Sequence, residues 1–148
     1  LRSMTIGHAQ DEHRDYEMLE ADFAAAGGRL EEIRAAPQNI GTEALTSFML
    51  HRASLPDPVD LLGAMFIIEG LGSIKAQEWG KRAQETLQLP DKAVHFLLYH
   101  GENDAEHIKE FQEMLAMVLP NEAVAKRIVR VAEVTARLYA LQIEEITA

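Results

Sequence analysis

Apolar residues recur along most of the chain at spacings of three and four, the period of an amphipathic helix, and strand-like alternation appears nowhere. Residues 1 to 26 carry Leu1, Met4, Leu19 and Phe23 at helical spacing, and Gly27 and Gly28 supply a stop, so one first helix is expected there. A short helical piece precedes Pro37. The next main helix is expected from Thr42 to Ser54, with Leu45, Met49 and Leu50 as its apolar stripe and Pro56 beyond its end. Asp57 followed by Pro58 reads as a helix start, carboxylate cap then proline, and the helix it opens extends to about Leu87. Asp91 restarts helix after Pro90, and Gly101 is a candidate break, with Asn103 placed to cap a new segment towards Val118. Asn121 after Pro120 caps a last helix carrying Val124, Ile128, Val131, Leu138 and Leu141. The pattern predicts an all-α fold, a single helical bundle of about five or six helices filling one domain over residues 1–148.

Composition sharpens this picture mainly by exclusion. With 148 residues, 47% hydrophobic and 26% charged, the chain is long enough to bury a sizeable core as an ordinary soluble domain. A formal charge of −10, with no basic cluster along the chain to offset it, argues against a nucleic-acid partner. The longest apolar run, Val59 to Ile68, is interrupted by Asp60 and closed by Glu69, so no membrane span is expected. The absence of cysteine removes disulfides, iron–sulfur clusters and thiolate zinc sites, leaving His, Asp and Glu as the donors for any metal. No signal peptide is visible, which points to the cytoplasm, although a chain that opens on Leu1 and already reads as helix is expected to lack its natural start.

Two trios of polar residues stand on otherwise apolar helix faces. In "FLLYHGENDAEHIKEF", His100, Asp104 and His107 are spaced i, i+4 and i+7, at about 0°, 40° and −20° round a helix axis. Phe96, Leu97, Phe111, Met114 and Val118 share that face, so the trio is expected to point inward, where imidazole and carboxylate need partners. In "HAQDEHRD", His8, Glu12 and Asp15 repeat the spacing on the predicted first helix. Glu69 in "GAMFIIEGLGS" is a further carboxylate on an apolar face, with Ser73, Ala76, Gly80 and Ala83 as small residues that leave room beside it. Inward Glu and His from several helices are how helical bundles hold paired iron or manganese, and the three histidines and four carboxylates suffice for two ions. The competing readings are plainer: a solvated acidic stretch at Asp11 to Glu17, a buried Glu69 paired with Arg or Lys, and core packing for the Met and Phe side chains. His13, His51 and His95 fit no converging face.

These residues resemble the heme-oxygenase-like diiron oxidases and oxygenases, the helical group of iron-containing redox enzymes related in fold to the TenA and PqqC proteins. His100, Asp104 and His107 match that group's late His-x3-Asp-x2-His element, and Glu69 stands about thirty residues upstream, where the group places a bridging glutamate. "HAQDEHRDYEMLEADFAAAGG" is similar to its early ligand helix, with Glu12 as a ligand glutamate and Asp15 where histidine is common. The resemblance covers roughly residues 8 to 118, and such proteins usually carry further helices before the first ligand helix.

The resemblance implies a dinuclear non-heme iron enzyme, iron or alternatively manganese held by His8, Glu12, Asp15, Glu69, His100, Asp104 and His107, that activates O2 to oxidise a small, partly apolar organic substrate. A homodimer is expected, because a shortened bundle exposes apolar surface. The alternatives are a heme-binding protein with His8 as axial ligand, which leaves His100, Asp104 and His107 unexplained, and a non-catalytic TenA-like or metal-binding helical module.

Overall fold

Helices supply the regular structure, with no strand among the described residues. The computed structural model describes residues 1–146, with the side chains of residues 103–106 outside the description. In chain order the α-helices are α1 (Arg2–Asp11), α2 (Tyr16–Ala25), α3 (Leu30–Ala35), α4 (Ile40–Ala53), α5 (Leu61–Leu71), α6 (Gln77–Leu87), α7 (His95–Val118) and α8 (Glu122–Glu144). A π-helical turn over Gly72–Ala76 joins α5 to α6, and a 3₁₀ turn over Asp91–Ala93 precedes α7. The all-α expectation holds, and none of these helices is long and apolar enough to cross a membrane. The chain divides into two compact units: unit 1 is Leu1–Ala36 with Glu69–Glu110, and unit 2 is Pro37–Ile68 with the chain from Phe111 onward.

In unit 1 the expected single first helix is two helices. A turn over residues 12–15 separates α1 from α2, and Arg14 within it has φ 74°, the left-handed region that non-glycine residues seldom occupy. The Arg14 guanidinium caps the conformation locally, Nε donating to Glu17 Oε1 at 2.7 Å. Helical spacing cannot register such a turn, because residues 12–15 carry no glycine or proline to mark it. Leu1 and Leu19, expected on the inward stripe, are accordingly 41% and 48% exposed. The stop at Gly27 is as expected: its φ of 97° is a conformation open chiefly to glycine.

The candidate break at Gly101 does not occur; α7 runs through it. The glycine serves close approach instead, since a Cβ there would lie 2.7 Å from both the backbone nitrogen and the Cβ of Gln77. Gly80 likewise faces Leu97 and Leu98. Gly80 of α6 therefore lets Leu97 and Leu98 of α7 pack closely. Asp22 of α2, buried, accepts a 2.8 Å hydrogen bond from the Phe96 N–H in the first turn of α7 and so ties the two helices.

In unit 2 the apolar residues Leu62, Ala64, Phe111, Met114, Ile128 and Val131 are buried, together with the polar Asp60 and Thr135. Asn39 caps α4 by accepting from Thr42 N–H at 2.7 Å, and Asn121 caps α8 by accepting from Ala123 N–H at 3.1 Å. The Asn39 side chain also donates to the Gln142 carbonyl at 3.0 Å, and Gly41 N–H donates to Glu145 at 2.8 Å, fastening the start of α4 to the end of α8. The expected helix start at Asp57 and Pro58 is displaced: α5 begins at Leu61. The Asp57 carboxylate accepts from Arg127 at 2.9 Å instead of capping a helix, and Asp60, fully buried, is bonded by both Arg52 and Arg127.

Candidate metal centre

Six of the seven residues expected to act together meet in unit 1. Donor atoms of His8, Glu12, Glu69 and His107 all lie within 4.8 Å of one another, and so do those of Glu12, Asp15 and His100. Asp104, the remaining expected member, lies outside the described residues. The two groups share Glu12. The resemblance implies Glu69 as the bridging carboxylate, but in this geometry the carboxylate common to both groups is that of Glu12.

Glu12 closes α1 and Asp15 opens α2, and both address His100, whose Nε2 is 3.2 Å from Asp15 Oδ2 and 3.9 Å from Glu12 Oε2. The other oxygen of Glu12 reaches His107 Nδ1 at 3.2 Å, and Glu69 approaches that same nitrogen at 3.3 Å. His8 Nε2 lies 3.7 Å from the second Glu69 oxygen, and the His8 and His107 rings meet edge to face with centroids 5.1 Å apart.

The histidines are held so that particular nitrogens face the carboxylates. His100 Nδ1 is 2.9 Å from the Phe96 carbonyl one turn back on α7, so the ring donates there and presents Nε2. Phe96 and Tyr99 pack against the same ring, at centroid distances of 4.1 and 5.3 Å. Burial pulls His8 below the ordinary histidine pKa; Glu12 pulls the other way, while nearby His107 adds to the lowering. His8 is therefore neutral near pH 7, with its lone pair available to an electrophile.

The histidines that fit no converging face, His13, His51 and His95, are exposed, as is ordinary for their type. Sequence reading missed Asp22 and the Phe96 carbonyl, which position α7 and orient His100. Asp22 carried a signal, an acidic residue in the apolar run "LEADFAAA"; a backbone carbonyl carries none.

A solved structure of a domain of unknown function with a heme oxygenase-like fold, from Shewanella denitrificans OS217, matches with a TM-score of 0.86 at 25% identity over 97% of this chain. The chain spans 62% of that protein's length. No curated protein matches it. The sequence model of a family described as iron-containing redox enzyme matches residues 6–140, a span that holds every member of both donor groups. The chain belongs to the iron-containing redox enzyme family and has a heme oxygenase-like fold.

Proposed function

We propose that the protein is a non-heme diiron oxidoreductase that activates O2 to oxidise a small, partly apolar organic substrate. The observation that carries this reading is the interior of unit 1. Apart from Ala76, Gly80, Ala93 and Val94, the described residues buried there are His8, Asp22, Glu69 and His100. An interior of carboxylates and imidazoles is costly unless cations or donors compensate, and the ion pairs of Glu12, Asp15 and Glu69 run to histidines, which hold charge only when protonated. Divalent metal compensates such a cluster without proton uptake.

The donor set fits iron. Mixed imidazole nitrogen and carboxylate oxygen without thiolate suits non-heme iron, and two overlapping groups joined by one carboxylate suit a pair of ions. One position would be held by His8, Glu12, Glu69 and His107, the other by Glu12, Asp15 and His100. When bound, iron supplies the one-electron chemistry toward O2 that no side chain of this cysteine-free protein offers. The protein's own part is positional: the Phe96 carbonyl fixes the His100 tautomer, His8 stays neutral by burial, and Phe96 and Tyr99 screen His100 from water.

The test is anaerobic reconstitution with iron(II), elemental analysis, then rapid mixing with O2 under optical detection. About two irons per chain and a transient visible charge-transfer absorption are expected. Less than about half an iron per chain, or iron that gives no O2-dependent absorption, would overturn the reading.

A further inference from the structure

Unit 2 contains a cavity of about 460 Å³ between α4 and α8 that has no part in the metal centre. Its apolar floor is Phe48 with Val131 and Val134, and its walls carry Arg52, Lys126, Arg127 and Arg130. No acidic side chain is among the described residues that line it. In a chain with 24 acids against 14 lysines and arginines, four cations round one cavity run against composition. The grouping escapes a linear reading because Arg52 comes from a helix far from the others in sequence.

The wall is built from behind. Asp60 is fully buried, and both Arg52 and Arg127 bond its Oδ2, the latter at 3.2 Å. Arg127 is held further by the Asp57 carboxylate at 2.9 Å and the Asp57 carbonyl at 2.6 Å. Two guanidiniums are thus ordered before anything binds and fix the shape of the wall. Asp57 and Asp60 balance that pair in charge. Lys126 and Arg130 supply the remaining positive charge; their partners are Glu122 at 2.7 Å and Glu133 at 3.5 Å, pairs between largely exposed side chains that exchange readily with solvent.

We propose that this cavity binds a small organic anion, a carboxylate head on an apolar body, the head taken by Lys126 and Arg130 at the rim and the body lying on Phe48, Val131 and Val134. The volume suits a small molecule and not a protein segment. A cationic rim over an apolar floor discriminates in two ways: inorganic anions gain nothing from the floor, and neutral apolar molecules gain nothing from the rim.

The probes are 4-phenylbutyrate, the neutral 4-phenyl-1-butanol and inorganic phosphate, titrated calorimetrically into the iron-loaded full chain. Saturable one-to-one binding of 4-phenylbutyrate is expected, with 4-phenyl-1-butanol at least about tenfold weaker and phosphate unable to displace it. The double variant Lys126→Gln, Arg130→Gln alters side chains that are 75% and 74% exposed, so its fold and iron content are retained while affinity falls by about tenfold or more. Absence of saturable binding, equal binding of the alcohol, or displacement by phosphate overturns the proposal. So does binding that the double variant leaves unchanged, because the carboxylate is then going to the metal centre or elsewhere.

Discussion

Asp60 in unit 2 and Glu69 in unit 1 are carboxylates with almost no exposure, 0% and 7%, and their neighbours differ in kind. Asp60 is answered by two guanidiniums, which stay charged at any pH a protein meets. Glu69 is paired with His8 and His107, beside the further carboxylate Glu12. The first arrangement is electrostatically complete as folded and acts as a structural clamp. The second gathers negative charge among groups with no fixed positive charge of their own, the imbalance on which the proposed metal centre rests. Burial of an acid alone does not separate the two; the identity of its partners does.

Removing the acid at each place separates them most sharply. Asp60→Asn removes the carboxylate that Arg52 bonds, while Arg127 keeps Asp57, and is expected to cost about 3 kcal/mol in denaturant unfolding, at the lower end for a broken buried pair because water reaches both guanidiniums. A loss below about 1 kcal/mol would mean the clamp is ornamental. Glu69→Gln is expected to leave the metal-free protein as stable as the parent or more so. Its effect belongs to the loaded state: iron(II) at a hundred times its dissociation constant should stabilise the parent by about 2.7 kcal/mol, seen as a raised melting temperature, and most of this gain should vanish in the variant. An equal gain in both proteins would remove Glu69 from the centre.

Gly101→Ala probes how the centre is positioned. The added methyl must push α7 away from Gln77, at an expected cost of about 1–3 kcal/mol and with loss of iron affinity, because His100 and His107 move with the helix. Destabilisation with unchanged iron content would show that the site tolerates the shift. The smallest effect is expected at Arg14, where glycine relieves the left-handed backbone but forfeits the bond to Glu17. Arg14→Gly should therefore change stability by no more than about 1 kcal/mol, whereas Arg14→Val should lower both stability and iron content. Iron content unaffected by valine would indicate that the turn does not set the Glu12 and Asp15 geometry.

The centre was legible in outline because its residues are chemically conspicuous. Histidines and acids on apolar faces are rare enough to notice, and the spacing of His100 and His107 on α7 survives intact since that helix is continuous. The structure brings the first trio near His100, His107 and Glu69, but on two helices and not on the one expected. A helix-periodic pattern predicts one rod through Glu12 and Asp15, yet a turn with Arg14 in the left-handed region separates α1 from α2 between them. The cap expected at Asp57 failed for a related reason: a carboxylate that can cap a helix can equally pair with an arginine seventy positions away, and the tertiary partner won.

Local rules thus reached the helical class, the cap at Asn121, the stop at Gly27 and the residue types able to hold iron, since each depends on a few neighbours along the chain. Folding decided which acids are neutralised by arginine and which confront histidine, that Glu12 joins the two donor groups, that Gly101 admits close packing without breaking α7, and that Arg52 joins Lys126, Arg127 and Arg130 round one cavity. Those outcomes depend on distances between residues remote in sequence, and no periodicity in the chain encodes them.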